Sequence, residues 1–200
     1  MEIILASKSP RRQELLRNIG IKDFNIVPSA SDETIPEGFQ PSEVVRLLSM
    51  CKAESVSKAV SDEDLIIAAD TLVYLDNKPL GKPKNEDDAV SMLKRLSGKR
   101  HSVLTGIAVI RGDIKISAHE ETFVYFRDLS ETEIVSYVKT GEPLDKAGAY
   151  GIQGLGSVLI SKIDGDYFNV VGLPLQKLYS VLKTPGLLPE DHKMLTPLDV

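Results

Sequence analysis

The chain has 200 residues, 42% of them hydrophobic and 26% charged, with 29 acidic against 24 basic side chains and a formal net charge of −5. That size supports one domain with a real core or two small lobes, and the acidic balance argues against a general grip on a nucleic-acid backbone, which needs surplus Lys and Arg. The only cysteine, Cys51, rules out an internal disulfide or a multi-cysteine metal site and suits a reducing compartment.

Ile3 to Ala6 is a short apolar run that predicts a buried strand. Ser9 follows in an N-cap position with Pro10 at the first helical residue, where its missing N–H costs nothing, and the helix is expected to reach about Ile19 and stop at Gly20. Asn25 to Pro28 reads as a second short strand. A longer helix opens at Pro41-Ser42, with Val44, Leu47, Leu48 and Cys51 on one face. Leu65 to Leu75 is almost continuously apolar, the pattern of a strand covered on both faces, and Asp76-Asn77 marks a turn. Asn85 caps a third helix with three acids in its first turn; Ala89, Met92, Leu93 and Leu96 form its core stripe and Gly98 ends it. Ser102 to Arg111 and Ile114 to Phe126 flank Gly112-Asp113 as a hairpin. Ser130 and Glu133 form a capping box for a helix ending near Gly141. A glycine-rich stretch, "AGAYGIQGLG", precedes strands near Val158 to Ile163 and Phe168 to Val171, and a last helix after Pro174.

Crossovers and a hairpin together predict an α/β fold with a mixed sheet flanked by helices. The expected organisation is a single domain over residues 1–183 and a peripheral tail over 184–200 with prolines at 185, 189 and 197. The N-terminal apolar run is too short for a signal peptide, and no stretch reaches the roughly 20 apolar residues of a membrane span. The cytoplasm is the expected location.

Ser7 to Arg12 joins a strand to a capped helix start, which leaves backbone N–H groups and a partial positive charge facing outward. Arg11 and Arg12 add two guanidinium forks suited to phosphate oxygens. Spacing alone equally allows Ser9 to be a simple cap and both arginines to be solvated. Asp70 interrupts "LIIAADTLVYL", where an ionised carboxylate must be paired, hydrogen-bonded or metal-bound; a strand-end position satisfied by neighbouring N–H groups is the ordinary alternative. Glu33 lies in a polar loop and matters only where the fold brings it to Asp70, the two acids then making an oxygen-rich site for Mg²⁺ or Mn²⁺. Lys52 sits at the edge of an apolar helix face, either snorkelling or reaching into a cleft, and Lys82 lies in a loop. Gln153, flanked by glycines, either presents its amide to a ligand or belongs to a flexible surface turn. His101, His119 and His192 lack metal-like spacing and are expected at the surface or at strand edges.

Seven stretches in order, "LASKSPRR" at 5–12, "DET" at 32–34, "AADTLV" at 68–73, "GKP" at 81–83, "HSVLTG" at 101–106, "DKAGAYGIQG" at 145–154 and "FNVVGLPL" at 168–175, together resemble the Maf family of septum formation inhibitors, which are nucleotide pyrophosphatases. The resemblance implies an inosine triphosphate pyrophosphatase-like fold with two lobes and a central cleft. The implied reaction is divalent-metal-assisted hydrolysis of a nucleoside triphosphate to the monophosphate and pyrophosphate. Asp70 matches the family base, and Ser7, Arg11, Arg12, Glu33, Lys52 and Lys82 match residues for substrate and metal. Arg12, Thr71 and Gln153 match positions tied to substrate choice and point to the dTTP/UTP branch; in the 7-methyl-GTP branch Gln stands in place of Thr71. A homodimer is a further family expectation.

A triphosphate carries roughly four negative charges, which suits Arg11, Arg12, Lys52, Lys82 and a metal ion. The Gln153 amide offers one acceptor and two donor hydrogens, enough to pair with N3–H and a carbonyl of uracil or thymine. The competing readings are a 7-methyl-GTP pyrophosphatase and a non-catalytic nucleotide-binding regulator of cell division; neither a nucleic-acid polymer nor a membrane is an expected partner.

Overall fold

The computed structural model describes residues 1–31, 34–35 and 38–188. Its centre is a seven-stranded mixed sheet in the order β2-β1-β3-β5-β6-β7, with β4 paired to β3. The strands are β1 (Ile3–Leu5), β2 (Asn25–Ile26), β3 (Leu65–Leu75), β4 (Lys78–Leu80), β5 (Arg100–Arg111), β6 (Ile114–Phe126) and β7 (Ile160–Asp164). The helices are α1 (Pro10–Asn18), α2 (Pro41–Ser57), α3 (Glu86–Leu96), α4 (Glu131–Val138), α5 (Tyr167–Val171) and α6 (Leu175–Leu182). β1 runs parallel to β2 and β3, whereas β4 on β3 and β7 on β6 are antiparallel. None of the described helices is long and apolar enough to cross a membrane.

The described residues divide into two compact units, the first drawn from 1–70, 105–120 and 172–188, the second from 71–104 and 121–171. In the first, α2 packs on the sheet through Ala53 and Val56 against Ile4, Ala6, Ile66, Ala68, Ala108 and Ile110. Residues two apart on a strand share a face, so Ile4 and Ala6, Ile66 and Ala68, and Ala108 and Ile110 each present one large and one small side chain to the helix. The small residues admit a close approach, which becomes closest at Gly106 on the same face of β5: a Cβ there would lie 2.0 Å from the Val45 carbonyl oxygen of α2. Within this unit Thr184 to Leu187 is also tied down, since Leu187 is fully buried and Arg111 donates to the Gly186 and Leu187 carbonyls at 3.0 and 3.1 Å.

In the second unit the α3 stripe of Ala89, Met92, Leu93 and Leu96 packs against Ile134, Tyr137 and Val138 of α4 and against β3, β5 and β6. The Asn85 side chain accepts from the Asp88 amide at 2.9 Å, and Ser130 and Glu133 close the expected capping box. Phe168 to Val171 is helix and not strand. Its β-favouring residues are overruled by a local turn, in which Asp166 accepts from the Phe168 amide, and by tertiary contacts, in which buried Asn169 donates to the Val103 carbonyl and to Thr122 Oγ1, each at 2.9 Å.

His101, expected at the surface or at a strand edge, is buried near the start of β5. Its Nε2 is 2.8 Å from the Tyr150 hydroxyl, and its ring packs edge-on against Phe126 and Tyr150. Burial pushes the imidazole down from 6.5 to about 4, opposed by the Lys99 backbone carbonyl, which favours the protonated ring. Between pH 6.5 and 4 the unfolded chain therefore holds a proton that the folded chain excludes, and stability falls as pH drops through that window. The expected loss is on the order of 3 kcal/mol. Urea midpoints measured from pH 7 to 4 should fall more steeply for the wild type than for His101→Gln, which keeps a hydrogen-bonding side chain without titrating; equal slopes would refute the assignment.

Candidate active site

The first unit gathers its polar groups where β1 and β3 leave their parallel pairing. Leu5 pairs with Ile67, and the Ala6 amide donates to the Ile67 carbonyl at 2.8 Å. Ser7 and Asp70 lie two and three residues further on, Ser7 just past the carboxyl end of β1 and Asp70 in the middle of β3, beyond the point where its pairing with β1 stops; the carboxyl side of parallel strands is where open α/β sheets bind ligands.

Asp70 shares its strand face with Ile66 and Ala68, the face that α2 covers. Lys52 comes from that helix. It falls on the i+4 row of Val44, Leu48 and Val56, all buried, so its stem runs inside the apolar face and its ammonium reaches the sheet. Lys52 Nζ stands 2.5 Å from Asp70 Oδ1, with the two side chains only 11% and 8% exposed. A buried pair of this kind is tolerated because the attraction between the two charges offsets part of the cost of desolvating each. Asp70 Oδ2 accepts no hydrogen bond from the described residues, which leaves it open toward a water or a cation.

Ser9 holds the N-cap position of α1, but its hydroxyl makes no cap bond. The amides of the first turn are thus left without a side-chain acceptor, the condition for receiving an anion. Arg12 is anchored: its Nε donates to the Gly172 carbonyl at 2.7 Å and its Nη1 to Ser7 Oγ at 3.3 Å. Ser7 Oγ also accepts from the Ser9 amide at 3.2 Å, so one buried hydroxyl ties the turn to the guanidinium. Arg11, half-buried, makes no hydrogen bond or ion pair among the described residues.

Of the residues singled out from sequence, the structure thus joins Ser7 to Arg12 and Lys52 to Asp70. Thr71, Lys82 and Gln153 belong to the second unit: Thr71 is half-buried on β3, Lys82 is exposed in the loop before α3, and Gln153 is half-buried before a 3₁₀ turn at Gly154–Leu159 that its side chain does not cap. Glu33 lies outside the described residues.

Three contributors escaped the sequence reading. The Gly172 carbonyl that holds Arg12 carries no local signal. Tyr137 and Glu142 brace the Gln153 segment; a tyrosine on the buried face of α4 needed a partner for its hydroxyl, which was the one clue available.

Among the described residues no group of three or more His, Cys, Asp and Glu side chains is assembled to hold a metal. Mg²⁺ ordinarily takes one or two carboxylates and completes its shell with water and substrate phosphates. One carboxylate whose Lys52 bond uses only Oδ1 fits that donor chemistry.

A family model described as Maf-like protein matches residues 2–185. The dTTP/UTP pyrophosphatase of Thermoanaerobacter sp. (strain X514) is 51% identical over 185 residues, covering 92% of this chain and 96% of that protein. The dTTP/UTP pyrophosphatase of Clostridioides difficile (strain 630) is 50% identical over 185 residues, covering 92% and 94%. Among solved structures, a HAM1 protein from Coxiella burnetii is 14% identical with a TM-score of 0.49, covering 91% of this chain and 98% of that one. The family match takes in the strand end, helix start and ion pair described above together with the Gln153 segment, and on that extent the chain belongs to the Maf family.

Proposed function

We propose that this protein is a nucleoside triphosphate pyrophosphatase, acting in the cytoplasm on dTTP and UTP to release the monophosphate and pyrophosphate. The observation that carries the reading is the buried Lys52–Asp70 pair in the middle of β3, just beyond its paired stretch with β1. A protein that only bound nucleotide would have no need of an acid set into an apolar strand. The substrate class is drawn from relatives named dTTP/UTP pyrophosphatase.

Release of pyrophosphate requires water to attack the α-phosphorus while its bond to the bridging oxygen breaks. Asp70 is the base that accepts a proton from that water. Lys52 keeps the carboxylate tolerable where it is desolvated, and fixes its orientation through Oδ1. Ser7, Arg11, Arg12 and Lys82, with the free amides of α1, bind the phosphate oxygens on which charge builds in the transition state. Asp70 and Glu33 would hold a divalent cation, Mg²⁺ or Mn²⁺, which when bound would supply Lewis-acid neutralisation of the phosphates. Arg12, Thr71 and Gln153 set the choice of substrate, the Gln153 amide pairing with the base.

The test is pyrophosphate release from dTTP, UTP, CTP, GTP and 7-methyl-GTP with Mg²⁺ or Mn²⁺. dTTP and UTP should lead, with CTP slower but not excluded, because a flipped amide accepts the reversed order of groups. No release from any triphosphate would leave a binding protein, and a lead for 7-methyl-GTP would place the chain in the other branch. Gln153→Ala should lower the UTP-to-CTP ratio of kcat/KM about tenfold, the worth of one bidentate base contact. An unchanged ratio would remove Gln153 from base reading.

A further inference from the structure

The segment that carries Gln153 is bound at one end to Glu142 and at the other to Tyr137, and these two side chains bond to each other. Glu142, in a 3₁₀ turn at Glu142–Asp145, accepts from the Leu155 amide through Oε2 and from the Gly156 amide through Oε1, both at 3.0 Å. Its Oε1 also accepts the Tyr137 hydroxyl at 3.0 Å, and that hydroxyl accepts the Gly151 amide at 3.2 Å. The two ends of the segment touch: a Cβ at Gly156 would lie 2.3 Å from the Gly151 carbonyl oxygen and 2.6 Å from the Tyr137 hydroxyl. Gln153 sits between these anchors, and its own side chain makes no hydrogen bond among the described residues. The segment is therefore not the flexible turn that its glycines suggest; it is a closed loop with one amide side chain left over for a ligand.

We infer that Glu142 is a positioning residue for substrate choice: its carboxylate, through Leu155, Gly156 and Tyr137, holds the Gly151–Gly156 loop so that Gln153 meets the pyrimidine edge in one register. This rests on Gln153 reading the base. Three donors converge on the carboxylate, which leaves Glu142 poorly placed to act as a base and places its effect in the loop. Only a carboxylate answers all three. In a glutamine one oxygen becomes an NH₂, which would face either the Leu155 or the Gly156 N–H, donor against donor. Burial pushes the Glu142 carboxyl up, but the Gly156 and Leu155 amides, the Tyr137 hydroxyl and Lys146 together hold it below its ordinary value, so it keeps its charge at neutral pH.

The experiment compares wild type, Glu142→Gln, Tyr137→Phe, Gln153→Ala and the Gln153→Ala/Glu142→Gln double variant, with kcat and KM for UTP and CTP and a thermal midpoint for each. Glu142→Gln should lower the UTP-to-CTP ratio of kcat/KM about fivefold, chiefly through KM, and leave kcat for UTP within about twofold because no catalytic group has moved. Tyr137→Phe, which frees only the Gly151 end, should shift the ratio the same way by less, and it carries the test where Glu142→Gln does not fold. In the Gln153→Ala background the Glu142 substitution should change the ratio no further. The inference is overturned by an unchanged ratio in both single variants, by equal losses on UTP and CTP, or by a Glu142 effect that persists in full without Gln153. Should Gln153→Ala itself leave the ratio unmoved, base reading by Gln153 fails first and takes the positioning role with it.

Discussion

Asp70→Asn should reduce turnover of UTP by about 10³-fold while leaving its binding within a few-fold, because a general base contributes on that scale to the chemical step and little to ground-state affinity. The amide keeps the shape of the carboxylate but cannot take a proton from water. It also leaves the Lys52 ammonium, 11% exposed, facing a neutral group, and removing one member of a buried pair costs about 3–5 kcal/mol. Lost activity alone would thus confuse chemistry with unfolding. The Asp70→Asn/Lys52→Met double variant separates them: with both charges gone, the thermal midpoint should recover much of its fall while turnover stays at the level of the single variant. Affinity is read with a non-hydrolysable UTP analogue. Near-normal hydrolysis by either variant would end the assignment of Asp70 as base; recovery of turnover in the double variant would show that Asp70 matters only for balancing Lys52.

How much of this was legible beforehand depends on how local each signal is. The β3 bounds follow from an apolar run, interrupted only at Asp70-Thr71, that Asp76-Asn77 closes, and the Ser130–Glu133 box is written in four consecutive residues. The depth of Lys52 was also present, in the row Val44, Leu48, Lys52, Val56, but the apolar face reads off centre when Leu47 is counted in it; Leu47 is 41% exposed. Pairings between distant segments left no such trace. The sequence separations of 49 between His101 and Tyr150, and of 160 between Arg12 and the Gly172 carbonyl, are bridged only by the folded chain. For the same reason the Gln153 segment looked loose: its glycines are visible in sequence, whereas the carboxylate that closes it comes from a separate turn. Asp70 lies between these cases. Its burial was readable from aliphatic neighbours, its partner only from the helix that covers its face.

Gly106→Ala should be the most damaging single methyl in the first unit. Gly106 lies two residues before Ala108 and four before Ile110, so the face of β5 that meets α2 tapers from Ile through Ala to no side chain at all. A Cβ at that point would stand 2.0 Å from the Val45 carbonyl oxygen, 2.3 Å from its carbon and 2.8 Å from the Arg46 nitrogen. These are backbone atoms of a continuous helix, so no rotamer change relieves the clash; α2 must translate away from the sheet. Overpacking of a core usually costs about 1–3 kcal/mol when side chains can yield, and a contact with main chain belongs at or above about 4 kcal/mol, among the largest single-residue effects. The displacement would also carry off Lys52, six residues along the helix from Arg46, and leave Asp70 uncompensated. Urea unfolding should therefore show a collapsed midpoint or no folded baseline for Gly106→Ala. Gly81→Ala, whose added Cβ meets nothing within 4 Å, should stay within about 0.5 kcal/mol of wild type. A wild-type midpoint for Gly106→Ala would mean that α2 does not approach β5 this closely, and the route by which Lys52 reaches Asp70 would have to be redrawn.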